Sequence, residues 1–212
     1  MSFSVIANTT LWQKSATMFL VTIKWFIFRQ PTKLTNQDLD RKYYRLWLSD
    51  QELDTIKHYY ISVDKRNRVE LLRKFSNIPD FRGLVFFNSL SDLGATEERL
   101  QFNGASAVSL ASDINVKFRK VILEKFKNHE ISLLLGTDLL ARGIDIENLE
   151  VVINFDIPRD REAYTHRAGR TGRMGNEGSV ISLVTHPEDL KKLKKFAKVS
   201  ELVIKNQELH EK

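Results

Sequence analysis

From residue 58 onward, short apolar runs alternate with longer stretches in which apolar and polar positions are mixed. The runs His58–Val63, Leu84–Phe87, Ala107–Leu110, Ser132–Leu135, Val151–Phe155 and Val180–Val184 are of strand length and rich in Val, Ile, Leu and Phe. The stretches between them, Arg66–Phe75, Asp92–Phe102, Asn115–Lys127, Arg161–Ala168 and Glu188–Lys198, are amphipathic and predict helices. Alternation of this kind predicts an α/β fold, a parallel sheet covered by helices on both faces. The strand runs are almost continuously apolar, as strands buried on both sides should be. Open sheets of this class bind ligands beyond the carboxyl ends of their strands. The residues directly after each apolar run are therefore where chemistry is expected.

The segment before residue 58 reads differently. Residues 16–28 (ATMFLVTIKWFIF) are strongly apolar, but the run is shorter than the ~20 residues a spanning helix needs, and Lys24 interrupts it. Arg29, Gln30 and Pro31 follow, where an export signal would have small residues. A structural segment is expected there, with no membrane partner. Residues 31–56 are polar and lack sustained periodicity, as in a linker or extension. The division expected is an extension over 1–55, one domain over 56–200 and a tail over 201–212.

Composition narrows the partners more than the fold. Of 212 residues, 42% are hydrophobic and 28% charged, ordinary for a globular chain. The net charge of +6 favours an anionic partner. There is no cysteine, which suits an intracellular, cytoplasmic setting, and the five histidines show no ligand-like pairing, so no metal site is expected. Lys191, Lys192, Lys194, Lys195 and Lys198 give the last helix a basic face, with Leu190, Leu193, Phe196 and Ala197 as its buried stripe. A solvated face is the plain reading.

The densest chemistry lies in residues 166–175 (HRAGRTGRMG), where three arginines, a histidine and three glycines occupy ten positions. Arginine presents a planar fork of donors suited to phosphate oxygens. Glycine lets backbone approach a ligand closely. A solvated arginine-rich turn is the bland alternative.

Two strand ends add to it. After the run ending at Leu135 comes GTDLLARGIDI, which places Thr137, Asp138, Arg142 and Asp145 within nine residues. Thr137 suits a phosphate or the cap of the next helical turn. Asp145, two residues beyond Gly143, suits a ribose hydroxyl or the end of a turn. After Phe87 comes Asn88-Ser89, and Ser89 suits a helix cap or a phosphate held at the helix start. Asp156 ends the VVINFD run but is followed by Ile157-Pro158 rather than a second acid, which argues against metal activation there. No G-x-x-x-x-G-K-[ST] occurs, and the glycines at 169, 172, 175 and 178 do not form a dinucleotide fingerprint.

In order, LVFFNS, TDLLARGIDI, VVINFDIP and Tyr164 with HRAGRTGR resemble motifs IV, V, the strand after V, and VI of the carboxyl-terminal RecA-like domain of DEAD-box RNA helicases. The resemblance runs from about Ile56 to Val184. It implies a RecA-like three-layer sandwich and a role in ATP-driven RNA unwinding or remodelling. Arg170 and Arg173 match the arginine fingers that reach the terminal phosphate of ATP. That ATP, with Mg2+, is bound mainly by an amino-terminal RecA-like partner domain. Asp145, with Gly143 beside it, matches the ribose contact. Ser89, Thr137 and Arg142 match contacts to RNA phosphates, as does Arg119 in the family's Q-x-x-R motif. His166 and Arg167 match positions that couple the two domains.

Two departures stand out. Val116 replaces the glutamine of Q-x-x-R, and Ala111-Ser112-Asp113 replaces His-Gly-Asp. The phosphate loop and the Asp-Glu-Ala-Asp string of the family's first domain do not occur in these 212 residues, although Ser15-Ala16-Thr17 resembles motif III at that domain's end. Residues 1–55 are therefore expected to be either an extension or a remnant tail of a first domain. A non-catalytic RNA- or protein-binding module derived from a helicase is the alternative function.

Overall fold

The computed structural model describes residues 56–110, 116–141, 149–172, 177–205 and 208–211. Their strands are β1 (Ile56–Ser62), β2 (Gly83–Phe87), β3 (Ala107–Ser109), β4 (Leu133–Thr137), β5 (Val151–Asn154), β6 (Gly178–Val184), β7 (Ser200–Lys205) and β8 (Glu208–Glu211). The helices are α1 (Arg68–Ser76), α2 (Leu90–Phe102), α3 (Val116–Lys127), α4 (Asp138–Ala141), α5 (Arg161–Ala168) and α6 (Pro187–Leu193). A 3-10 turn, Lys65–Asn67, precedes α1.

The strands form one sheet in the order β3-β4-β2-β5-β6-β1-β7-β8. Every neighbouring pair is parallel except β7–β8. Successive side chains of a strand point to opposite faces, so β2 sends Val85 and Phe87 to one side, and Leu84 and Phe86 to the other. On the first side they meet Leu72 and Phe75 of α1 and Leu93 and Leu100 of α2. On the second they meet Phe126 of α3, Tyr164 and Ala168 of α5, and Leu193 of α6. The result is the parallel sheet covered on both faces that the alternation of apolar runs predicts, and the three-layer, RecA-like sandwich that the resemblance implies.

Local chemistry fixes where the helices start. Ser89 caps α2 by accepting the amide N–H of Asp92, and Asp160 caps α5 by accepting that of Ala163. Pro187 opens α6, where its missing N–H costs nothing.

Two differences from the sequence reading concern the end of the chain. The last helix stops at Leu193 rather than Lys198. Lysines at 191, 192, 194, 195 and 198 face one another at helical i,i+3 and i,i+4 spacings, and such like-charge pairs weaken a helix. The stretch expected as a tail instead extends the sheet: Ser200 and Glu201 pair with Tyr59 and Tyr60, and Leu202 is buried in the core. The apolar segment 16–28 and Ser15-Ala16-Thr17 lie outside the described residues. Among the described residues, no helix is long and apolar enough to cross a membrane.

Tyr164 links α5 to the sheet. It is fully buried, its hydroxyl lies 2.7 Å from His58 Nδ1, and its ring tilts against Phe196. Burial pushes the Tyr164 hydroxyl well above the usual tyrosine value. Between the ordinary value and the raised one, the folded chain holds a proton that the unfolded chain has lost, so stability falls as pH rises above about 10. The urea midpoint is expected to drop between roughly pH 9 and pH 11, and to drop less steeply in Tyr164→Phe. Parallel slopes for the two proteins would contradict this.

Candidate functional site

The candidate residues separate into two groups, one at each end of α5. The first group sits at the carboxyl edge of β2, β3 and β4, which are adjacent in the sheet. Thr137 ends β4 in register with Phe87, the last residue of β2, and Ser89 follows two residues later. Arg119 lies in the first turn of α3, the helix that leaves the carboxyl end of β3. Ser89, Thr137 and Arg119 are all partly exposed, so each keeps a face toward solvent. Ser89 already accepts the Asp92 amide at 3.4 Å, so its capping role is realised here, and its hydroxyl still has a proton to donate.

The second group lies at the other end of α5. The helix stops at Gly169, and the next backbone groups close two further turns: Arg170 N–H to Arg167 O, and Thr171 N–H to Ala168 O. Thr171 is buried and donates its hydroxyl to the carbonyl oxygens of Leu149 and Glu150, just before β5. That bond ties the arginine turn to the residues just before β5. Gly172 has φ +68°, a left-handed conformation that favours glycine. Gly178 completes the packing, because a Cβ there would collide with Gly172 N and Thr171 Oγ1. Carboxyl strand ends thus account for the first group only. The arginine turn sits beside the amino ends of β5 and β6.

Between the groups lies Arg167, which is 1% exposed. Its guanidinium donates to both carboxylate oxygens of Asp138, at 2.6 and 2.7 Å. It also donates to Asn88 Oδ1 at 2.8 Å, Asp156 O at 2.9 Å and Asn154 Oδ1 at 3.1 Å, and it lies 5.0 Å from the Phe86 ring centre. Asp156 extends the network. One of its oxygens takes the Asn88 amide and the other takes Arg68, which also donates to Phe155 O and stacks on the Phe155 ring. One buried arginine therefore ties the loop after β2, the start of α4 and the end of β5 to the helix that carries the arginine turn.

His166, the neighbour of Arg167, is exposed, and Arg170 is partly exposed with partners of its own. Gly143, Arg142, Asp145 and Arg173 lie outside the described residues, as do Ala111-Ser112-Asp113. Sequence reasoning counted Asp138 among the strand-end groups, weighed Asp156 only for metal activation, named Asn88 only as the neighbour of Ser89, and passed over Arg68. The first three stand at strand ends, so their position was a usable signal. Arg68 gives no signal, because its partner Phe155–Asp156 is 87 residues away. Arg167 and Thr171 are committed to protein oxygens, among them the Asp138 carboxylate, so the groups that keep a face toward solvent are Ser89, Thr137, Arg119 and Arg170, hydroxyl and guanidinium types that suit phosphate oxygens.

Residues 67–175 match the model of the helicase conserved C-terminal domain. The chain is 37% identical over 195 residues to the probable ATP-dependent RNA helicase YfmL of Bacillus subtilis, covering 91% of this chain and 50% of that protein. It is 36% identical over 154 residues to the DEAD-box ATP-dependent RNA helicase CshC of Bacillus cereus, covering 73% of this chain and 39% of that one. The chain thus spans half or less of these relatives. In structure it is similar to a DEAD box protein from the hyperthermophile Methanococcus jannaschii, with TM-score 0.61, 32% identity, and 70% of this chain and 42% of that one covered. The C-terminal domain of the Saccharomyces cerevisiae DEAD-box protein Dbp5 shares the fold, with TM-score 0.63, 24% identity, and 71% of this chain and 92% of that one covered. The three motif strings, in their order along a RecA-like frame, thus have a family: this chain belongs to the helicase conserved C-terminal domains, and among them to those of the DEAD-box RNA helicases.

Proposed function

We propose that this domain is the arginine-donating half of an RNA-dependent ATPase that unwinds or remodels RNA in the cytoplasm. ATP, with its magnesium, is held mainly by an amino-terminal RecA-like domain, and Arg170 and Arg173 approach its terminal phosphate from this side. Gly143 and Asp145 meet the ribose. RNA lies with its backbone at Ser89, Thr137, Arg119 and Arg142, and the contacts go to phosphate and sugar, so base sequence matters little. ATP, when bound, would supply the phosphoryl group, and its Mg2+ would neutralise part of the phosphate charge. The arginines of this chain orient that group and stabilise charge as it transfers. His166 faces outward, where a partner domain would meet it, while Arg167 holds the helix that presents both His166 and Arg170.

The observation that carries this reading is the Arg167 network. A shift at Asn88 or Asp138, each next to a proposed phosphate contact, is felt at the guanidinium on the helix that leads into the turn carrying Arg170. That is a physical route by which RNA and ATP occupancy can depend on each other. One feature favours the alternative, a non-catalytic RNA- or protein-binding module: Val116 stands where the family has the glutamine of Q-x-x-R.

The RNA half of the reading is tested on the chain itself, with fluorescein-labelled single-stranded RNAs of different base sequence. Affinity is expected to be nearly independent of sequence and to fall steeply with salt as counterions are released. Thr137→Ala, which removes one phosphate donor, is expected to weaken binding by about 5-fold, near the worth of one hydrogen bond. Salt-independent binding, or full affinity in Thr137→Ala, would count against it.

A further inference from the structure

Single apolar side chains scattered over a surface are ordinary. In this domain they are not scattered. The large apolar side chains exposed among the described residues are Leu90, Phe102, Phe118, Val121 and Leu139. Leu90 follows Ser89, Phe118 precedes Arg119, Val121 lies two residues beyond Arg119, and Leu139 lies two residues beyond Thr137. Four of the five thus stand within two residues of a proposed phosphate contact, and Phe102 stands apart.

Phe118 is the aromatic member of the four and is 67% exposed. It lies in the first turn of α3, whose far end is fixed at the amino edge of the sheet. There the Ser106 hydroxyl, just before β3, donates to Glu130 O, and Ser106 O accepts the Ser132 amide just before β4. The 12 residues of α3 rise about 18 Å, and the five of β4 span roughly 16 Å. The first turn of α3 therefore reaches the carboxyl edge, level with Thr137 at the end of β4. Arg119, Leu123 and the buried Phe126 share one face at helical spacing. Phe118, Val121 and Lys125 form the flank beside it, and all three are exposed. The helix carries five basic residues against one acid, Glu124.

That setting selects the occupant. The core of a protein interface is depleted of charged residues, lysine among them. A phenylalanine between Lys117 and Arg119, with Lys120 beyond, does not match it. Single-stranded RNA does, because its phosphates take cations while its bases take aromatic faces. The same turn is where Val116 stands in place of the family's glutamine, so a hydrogen-bonding side chain is lost two residues before the aromatic one. We propose that Phe118 is a stacking platform for one base of the bound RNA, beside the phosphate held at Arg119. This rests on the RNA reading above and adds to it a contact that a bare polyanion cannot make. Every base has a ring face, so the contact tolerates any sequence.

The test uses the 212-residue chain with a fluorescein-labelled oligouridine of about 12 nucleotides and an abasic ribose-phosphate oligomer of equal length, each across a salt series. Phe118→Ala is expected to weaken oligouridine binding by about 5- to 10-fold, the lower end of what one stacked base contributes. The factor should be the same at every salt concentration, because no charge is removed. Affinity for the abasic oligomer should match that of the wild-type chain. Phe118→Trp should keep the oligouridine affinity, and RNA should quench more indole fluorescence in it than in the wild-type chain, whose tryptophans are Trp12, Trp25 and Trp47. Phe102→Ala, at the far end of α2 from Ser89, should bind as the wild type does.

Full oligouridine affinity in Phe118→Ala, an equal loss on the abasic oligomer, or no added quenching in Phe118→Trp overturns the proposal. So does full RNA affinity in Phe118→Ala with phosphate release lost when a DEAD-box first domain is supplied, which would assign the side chain to that protein. If Thr137→Ala still weakens binding in these cases, the RNA reading stands without the stack. If the wild-type chain binds neither probe, both fall together.

Discussion

Arg167→Ala is expected to lower the free energy of unfolding by about 3–5 kcal/mol, the range for breaking a buried, hydrogen-bonded ion pair. The guanidinium makes five hydrogen bonds in a place that is 1% exposed. Without it the Asn154 amide oxygen and the Asp156 carbonyl, both beside the core, lose a donor, and the Asp138 carboxylate loses its counter-charge. Arg167→Lys should recover only part of the loss. An ammonium has three donors from a single point and cannot hold Asp138 bidentately while reaching Asn88 and Asp156. Urea denaturation of the purified chain measures both variants. A change below about 1 kcal/mol in Arg167→Ala, near the upper limit for an exposed pair, would show that the network is not structural.

Arg170→Ala is expected to do the opposite: to leave stability nearly unchanged and remove catalysis. Arg170 is partly exposed on a turn fixed by other groups, namely the Thr171 hydroxyl on Leu149 and Glu150, and the glycines at 172 and 178. Truncating it should therefore keep the turn in place. In an assay that supplies a DEAD-box first domain, RNA and ATP, phosphate release should fall by about 10³-fold, the lower end of what an arginine finger contributes. That factor corresponds to roughly 4 kcal/mol of transition-state stabilisation. Arg170→Lys should stay impaired, since a point charge replaces a planar fork. Arg173→Ala should behave in the same way. Equal rates for wild type and both alanine variants would remove them from the catalytic machinery.

The frame of the domain was readable from residues alone, because its strands are buried on both faces and so stand out as apolar runs between amphipathic stretches. Ala107–Leu110 and Val151–Phe155 differ from the observed β3 and β5 by one residue each. The failures have physical causes. β7 has only Leu202, Val203 and Ile204 as an apolar run, three residues between Glu201 and Lys205 near the sheet margin, and so lacks the longer apolar signature of the central strands. α6 was read too long because its apolar spacing continues to Ala197, while repulsion among its lysines is not a periodicity signal.

The candidate site was legible in composition but not in arrangement. HRAGRTGR and GTDLLARGIDI mark phosphate chemistry through residue types. Nothing in them tells that Arg167 is buried and bonded to Asp138 while Arg170, three positions on, is partly exposed. That division depends on the direction of α5 across the sheet, which only tertiary packing sets. The same holds for Gly178, whose missing Cβ matters because the backbone of Gly172 lies against it.

The most direct test is the rate of phosphate release by a DEAD-box first domain with RNA and ATP, measured with and without the 212-residue chain. A rise on adding the wild-type chain, absent with Arg170→Ala, is the result expected of the arginine-donating half. No rise with the wild-type chain, although it binds RNA and is folded, would contradict that assignment and leave an RNA-binding module.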